Sequence, residues 1–265
     1  MLIVGLSAAT VAEASGLENL GNTCYMNAVI QNLRAIPELK DALNKYTNTS
    51  SSAAYGQSSS GIPTQLSLLF KQLDSTTKPV TPLVFTTLFR SMFPQYAERT
   101  GEGHFMQQDA DELLNTLLST MSTALTSQSH PIPQSSVRVG VPNNNIDNIV
   151  DYLFSGDIRV TLKNTESADE PVKTSVELFR KLRCHISKDI SYLSEGLKHD
   201  MSELIERRSD QLNRNAVYQQ STEIIRLPTN LVVQFVRFDW RADTKKKAKI
   251  LKRVDFPLKL DVMVC

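Results

Sequence analysis

One cysteine near the start of the chain lies among residues that could support nucleophilic chemistry. Residues 16–27 read GLENLGNTCYMN, so Cys24 follows Asn19 by five positions, with glycines at 16 and 21. A thiolate is a strong nucleophile, and an amide donor beside it can stabilise the oxyanion formed during acyl transfer. The glycines allow tight turns of the backbone around the thiol. The alternative is a buried structural cysteine, because free cysteine is among the most buried residue types.

Cys24 falls at the start of a helix that the sequence predicts from about Thr23 to Ile36. Asn22 or Thr23 can cap this start, and Pro37 is expected to end the helix. The free N–H groups and the dipole at a helix N-terminus favour a thiolate over a thiol. The predicted helix would therefore both position and activate the cysteine.

A second polar cluster lies near the start of another predicted helix, from about Gln108 to Leu125. Residues 103–118 read GHFMQQDADELLNTLL, and Asp109 and Glu112 are three positions apart, so they share one helix face. Acidic side chains in a first turn cap free N–H groups and interact favourably with the helix dipole. Capping is thus the simplest role for the two carboxylates.

The remaining chain divides into a helical first half and a β-rich second half, which predicts an α+β fold. Alternating apolar residues predict strands around 158–162, 172–178, 231–240 and 250–263. One helix is expected to interrupt these strands, from about Lys188 to Arg214, and KKKAK at 245–249 is expected to form a basic turn. The stretches 47–61 and 126–145 have loop composition.

The composition excludes several classes of protein. The chain has 265 residues, 41% of them hydrophobic, with a net charge of +1, so it has no general attraction for nucleic acid or membrane surfaces. No run reaches the roughly 18 apolar residues that a membrane span needs. Cys24, Cys184 and Cys265 make neither a disulfide framework nor a metal clip, which favours a reducing compartment.

The longer string GLENLGNTCYMNAVIQNL resembles the cysteine box of the ubiquitin-specific proteases, a papain-like family of cysteine deubiquitinases. Residues 103–118 are similar to the family's QQDA-x-E signature, and residues 226–238 and 252–262 resemble its palm strands. The resemblance implies that Cys24 is the nucleophile and that Asn19 belongs to the oxyanion hole. It also implies a substrate-binding role for a group of residues that would hold the basic C-terminal tail of ubiquitin: Gln107, Asp109 and Glu112.

The resemblance further implies a fold with a helical thumb, β-rich fingers and an incomplete β palm. Residues 1–15 would be an N-terminal remnant or linker, with a strand in their apolar run as the alternative, and 16–265 a partial catalytic domain. Within this domain the expected parts are the thumb, a loop, and the fingers with part of the palm, at 16–125, 126–145 and 146–265. The finger region has only Cys184, so no zinc site is expected, and no cofactor is expected either.

Three stretches resemble the proteasome-associated branch of the family most closely: PELKDAL, FPQYAERTGEGHFMQQDADE and NRNAVYQQSTEIIRLP. The implied partners are ubiquitin, ubiquitin conjugates and, for a full-length parent, the proteasome. A monomer in the cytoplasm is expected, with the nucleus as a second location.

A cysteine protease also needs a general base, usually a histidine. The chain offers His104, His130, His185 and His199, and none matches the family's histidine box. That box is expected beyond Cys265, so the sequence predicts a truncated domain with strongly reduced turnover. The alternative function is a ubiquitin-binding fragment without catalysis.

Overall fold

The computed structural model describes residues 2–4, 15–49, 61–125, 146, 148–187, 190–241 and 246–262. These residues form two compact units, one helical and one dominated by strands, which confirms the α+β class. The helical unit takes in 15–49, 61–125, 146 and 148–153, and the strand unit takes in the rest. The predicted loop at 126–145 lies outside the described residues. The finer division into thumb, fingers and palm stays a prediction.

The helices are α1 Cys24–Arg34, α2 Pro37–Thr49, α3 Gly61–Asp74, α4 Leu83–Met92, α5 Ala110–Ala124 and α6 Ile149–Phe154, with a 3₁₀ helix at Pro94–Ala97. The apolar stripe of α5 is buried, as its spacing predicted. The first helix is shorter than expected. It stops at Arg34, and Pro37 opens α2 because its fixed φ suits the first position of a helix.

The strand unit contains β1 Leu2–Val4, β2 Gly156–Asn164, β3 Lys173–Phe179, β4 Leu182–His185, β5 Ser202–Ser209, β6 Arg214–Arg226, β7 Leu231–Val236, β8 Phe238–Arg241 and β9 Lys246–Lys249, with α7 at Leu193–Asp200. One antiparallel sheet has the order β3-β2-β6-β5. In a second sheet, β7 lies between β1, which is antiparallel to it, and β4, which is parallel. Thus residues 2–4 form a strand, which is the alternative expected for the apolar start of the chain.

The helix predicted from Lys188 to Arg214 is wrong in its second half. Among the described residues of this range, only Leu193–Asp200 are helical. Strand β5 then pairs with β6 in continuous register from Ser202–Ser221 to Ser209–Arg214. Asn213, with a φ of 51°, adopts the left-handed conformation that a tight hairpin turn needs. The cross-strand hydrogen bonds outweigh the helix propensity of this Glu-, Leu- and Arg-rich stretch.

Two predictions near the end of the chain are also wrong. Part of the expected basic turn, Lys246–Lys249, forms β9 and pairs with β8, because its main chain completes a two-stranded ladder. The last strand expected at 250–263 is absent from the described residues 250–262, where Asp255 forms only an isolated bridge with Tyr192. Without a neighbouring strand along its length, this segment has no ladder of hydrogen bonds to keep it extended.

A buried carboxylate, Glu170, joins the end of β2 to the β5–β6 hairpin. Its oxygens accept hydrogen bonds from Ser209 Oγ at 2.6 Å, Tyr218 Oη at 2.7 Å and Asn164 Nδ2 at 2.7 Å. We call these four residues the Glu170 cluster. The bonds from Ser209, then Tyr218 and Asn164, lower the pKa of Glu170 to about 2, because each donor stabilises the charged form.

Candidate active site around Cys24

Cys24 is the first residue of α1, and its side chain is exposed. The loop before it is built on the side-chain oxygen of Asn19, which accepts from Gly21 N at 3.0 Å and from both Thr23 N and Thr23 Oγ1 at 3.1 Å. Gly21 and Asn22 complete the turn with φ values of 83° and 54°. Thr23 is fully buried. The exposed thiol argues against the alternative of a buried structural cysteine.

These contacts determine which hydrogen-bonding group of the Asn19 side chain remains available. Its oxygen is used by the loop, and no residue in the described part of the chain accepts a hydrogen bond from its Nδ2. An amide donor held by its own oxygen is preorganised, as an oxyanion hole requires. The assignment of Asn19 to the oxyanion hole remains a prediction that this geometry allows.

Gln107 lies at the thiol itself. Its Nε2 donates to Cys24 Sγ across 2.9 Å, joining residues 83 positions apart. This hydrogen bond holds the amide group of Gln107 directly against the sulfur atom. The sequence predicted Gln107 as a substrate-binding residue and gave no signal for this direct contact with the nucleophile.

Asp109 and Glu112 occupy the start of α5. Asp109 is the N-cap, and its Oδ1 accepts from Asp111 N at 2.7 Å, so the expected capping role is present. The side chain of Glu112 is exposed and has no hydrogen bond or ion pair with a described residue. The contact of both carboxylates with a basic peptide tail stays a prediction.

A hairpin at residues 98–106 lies beside the Cys24 loop. Arg99 and Phe105 pair as an isolated bridge, and Phe105 O accepts from Asn22 Nδ2 at 2.8 Å. Loop and hairpin together line a cavity of about 350 Å³, whose lining residues are Leu20, Gly21, Asn22, Arg99, Gly103, His104 and Phe105. No sequence pattern pointed to Asn22, Arg99 or Phe105 as parts of the site.

The histidines separate into different surroundings. His104 lines this cavity but does not hydrogen-bond to Cys24. In the strand unit, His185 and His199 both contact the carboxylate of Asp200, at 2.9 and 3.2 Å. His130 lies outside the described residues. Within the described ranges, the thiol therefore has Gln107 and no histidine as its hydrogen-bond partner.

Cys184 offers a contrast to Cys24. It is fully buried in β4, and burial, followed by the negative charge of Asp200, raises the pKa of its thiol to about 11. Its neighbour His185 is exposed, because successive side chains of a strand point to opposite faces. No group of three or more potential ligands that could hold a metal ion is found among the described residues.

Comparison with known proteins identifies the family of this chain. Residues 15–265 match the family described as "Ubiquitin carboxyl-terminal hydrolase". The chain belongs to this family, which confirms the resemblance to the ubiquitin-specific proteases.

No helix in the described ranges is long and apolar enough to cross a membrane.

Three relatives illustrate the similarity. The chain is 38% identical over 255 residues to "Ubiquitin carboxyl-terminal hydrolase 6" of Arabidopsis thaliana, covering 96% of this chain and 50% of the relative. It is 39% identical over 251 residues to "Ubiquitin carboxyl-terminal hydrolase 6" of Schizosaccharomyces pombe, covering 94% and 47%. It is 32% identical over 253 residues to "Ubiquitin carboxyl-terminal hydrolase 14" of Caenorhabditis elegans, covering 93% and 45%. The chain thus spans about half the length of the curated relatives it matches.

Proposed function

We propose that this protein is a thiol-dependent deubiquitinase that hydrolyses the bond after the C-terminal glycine of ubiquitin. The observation that carries the proposal is the exposed Cys24 at the start of α1, with the Gln107 amide donating to its sulfur across 2.9 Å. Membership of the ubiquitin carboxyl-terminal hydrolase family supplies the substrate class.

In this mechanism the Cys24 thiolate attacks the carbonyl carbon of the terminal glycine, and the carbonyl electrons move to the oxygen. Asn19 Nδ2 donates to the oxyanion that results. Collapse of the adduct breaks the C–N bond, the leaving amine takes up a proton, and a thioester of ubiquitin remains. Water then attacks the thioester, which releases ubiquitin and restores the thiol. A general base must serve the second attack, and we expect it to be a histidine.

The tail of ubiquitin needs its own binding surface. We propose that the exposed carboxylates of Asp109 and Glu112 bind the basic residues of this tail, because opposite charges favour both encounter and register. Gln107 would then connect the tail site to the nucleophile. Asp109→Asn together with Glu112→Gln is expected to raise KM for a ubiquitin substrate and leave KM for an uncharged small thiol ester unchanged.

A second candidate, ubiquitin binding without turnover, is favoured by a different surface. One face of the β3-β2-β6-β5 sheet has a depression of about 530 Å³. Its lining includes the apolar residues Ile158, Val160 and Leu162 and the charged residues Lys173 and Arg207. Such a mixed surface suits the body of a folded protein better than a small molecule.

Ubiquitin with a C-terminal electrophile separates the two candidates. Cys24 should be labelled, Cys24→Ala should abolish labelling, and Cys184→Ala should leave it unchanged as the matched control. Labelling together with turnover of a fluorogenic ubiquitin substrate supports the deubiquitinase. Ubiquitin binding without turnover supports the second candidate, and the absence of both labelling and binding refutes the two together.

We also propose that the conjugates acted on are held at the proteasome, on the resemblance of three sequence stretches to the proteasome-associated branch. The protein should then sediment with purified proteasomes, and in cells a fluorescent fusion should be found in the cytoplasm and the nucleus. Sedimentation independent of proteasomes would contradict this part of the proposal.

A further inference from the structure

The ring of Phe105 is held between two arginine side chains next to the Cys24 loop. Arg90 Cζ, from α4, lies 3.6 Å from the ring centroid, and Arg99 Cζ lies 3.9 Å from it. Two guanidinium groups at these distances would collide on one face of the ring, so they occupy opposite faces. Both distances are well inside the roughly 6 Å range of cation–π attraction.

Placing two cations around one ring costs free energy. Burial lowers the pKa of Arg90, and the positive charge of Arg99 lowers it further, while Tyr25 opposes the change. The arrangement is held by the neighbouring backbone, because Arg99 Nη1 donates to Gly103 O at 2.6 Å inside the same hairpin. The clamp, defined here as Arg90, Phe105 and Arg99, therefore fixes the hairpin to α4.

The same ring is tied to the nucleophile from two directions. Phe105 O accepts from Asn22 Nδ2 at 2.8 Å, and Asn22 lies two positions before Cys24. Two positions after Phe105, Gln107 donates to Cys24 Sγ. The backbone between them is held by Met106 N, which donates to Glu98 O at 2.9 Å.

We propose that Phe105 is a positioning residue for the thiol site. Held between Arg90 and Arg99, it fixes the backbone that carries Gln107 and so keeps the Gln107 amide against the Cys24 sulfur. The inference deepens the proposed function and rests on it only for the catalytic consequence, because the contact of Gln107 with Cys24 can be measured without any turnover.

The test compares Phe105→Leu, which keeps an apolar side chain but loses the π system, with Phe105→Tyr, which keeps both. The side-chain amide signal of Gln107 is followed in ¹H–¹⁵N spectra before and after alkylation of Cys24 with iodoacetamide. A clear change of this signal is expected for the native chain and for Phe105→Tyr, and a much smaller change for Phe105→Leu. Phe93→Leu is the matched control, because Phe93 is also half-buried and its ring packs at a tilt against Phe89 instead of against an arginine.

A kinetic arm uses ubiquitin with a C-terminal fluorogenic group. Phe105→Leu should lower kcat about tenfold, the fold-change expected from losing two cation–π contacts of ordinary strength, with KM changed less than about twofold. In a Gln107→Ala background the same substitution should have no further effect, since the two residues act through one contact. Arg99→Gln, on an exposed side chain, is a second variant with a smaller effect in the same direction.

The inference is overturned if alkylation changes the Gln107 signal of Phe105→Leu as much as that of the native chain. It is also overturned if the effects of Phe105→Leu and Gln107→Ala on kcat are fully additive. If the Gln107 signals change as expected while the native chain neither binds ubiquitin nor is labelled by the ubiquitin electrophile, the positioning role of Phe105 is supported and the proposed function is refuted. The two failures are therefore distinguishable.

Discussion

In the proposed mechanism Asn19 has two separable roles, and a pair of substitutions should resolve them. Its side-chain oxygen accepts three hydrogen bonds in the loop before Cys24, whereas Nδ2 is the donor assigned to the oxyanion. Asn19→Asp keeps an acceptor of the same shape and removes the donor. Asn19→Ala removes both.

The expected loss of stability follows from the burial of the partners. Gly21 N is exposed, so water replaces Asn19 there at little cost, whereas both donors of the fully buried Thr23 lose their partner in Asn19→Ala. At about 1 kcal/mol for each buried bond, Asn19→Ala should lower the free energy of unfolding by about 2 kcal/mol. A domain of this size should then melt about 4–8 °C lower.

The catalytic effect should be shared by both variants. Loss of one oxyanion donor typically lowers kcat by about 10²–10³, so Asn19→Asp should combine that loss with near-native melting. Melting by circular dichroism and turnover of fluorogenic ubiquitin measure the two effects independently. Full turnover in Asn19→Asp would refute the donor role, and native melting in Asn19→Ala would refute the structural one.

Three further substitutions test the strand unit. The pKa of Glu170 is lowered to about 2, so its contribution to stability is present above pH 4.5 and is lost as the pH falls towards 2. At pH 6, Glu170→Gln should therefore unfold at a lower urea concentration than the native chain. This difference in urea concentration should shrink by pH 2. Arg226→Gln should lower the free energy of unfolding, measured with urea, by about 3 kcal/mol, because it removes the ion-pair partner that lies 2.6 Å from the buried Asp157. Gly196→Ala should lower the free energy of unfolding by about 1–3 kcal/mol, because a Cβ at this position would lie 2.3 Å from Cys184 Sγ. Adding Cys184→Ala should restore part of the lost stability.

Each of these three substitutions has its own control or contradicting outcome. A difference between native and Glu170→Gln that persists at pH 2 would contradict the ionic role of Glu170. Arg253→Gln removes an ion pair that is exposed on both sides, with 87% and 52% of the side chains accessible, and should change stability by no more than about 0.5 kcal/mol. If Arg226→Gln and Arg253→Gln lowered the free energy of unfolding equally, the importance of the buried ion pair would be contradicted. If Cys184→Ala restored none of the stability lost in Gly196→Ala, the close contact between these two positions would be contradicted.

The sequence predicted what depends on local pattern. Helix α5 was predicted because its buried leucines recur at helical spacing, and the family because one long string surrounds Cys24. Strand β5 was missed because Leu204 falls on a helical stripe, although the structure leaves it 65% exposed on a strand. Its conformation is decided by pairing with β6, and such pairing is not visible in a single short stretch.

The contacts that complete the candidate site were beyond sequence reasoning for a different reason. Gln107 meets Cys24, and Asn22 meets Phe105, each across 83 positions. Neither pair has a spacing that helix or strand periodicity would reveal, because both contacts are made between loops and element ends brought together by tertiary packing. The clamp around Phe105 likewise draws Arg90 and Arg99 from separate elements.

The long separation of Gln107 from Cys24 has a consequence for biosynthesis. During translation Cys24 leaves the ribosome well before residue 107 has been added, so the nascent thiol has no amide partner. Only a chain that has been extended past Gln107 and has closed this loop can form the hydrogen bond between the Gln107 amide and the Cys24 sulfur. The reactivity of Cys24 towards a thiol reagent would then report folding of the helical unit, and incomplete or misfolded chains would carry a latent cysteine.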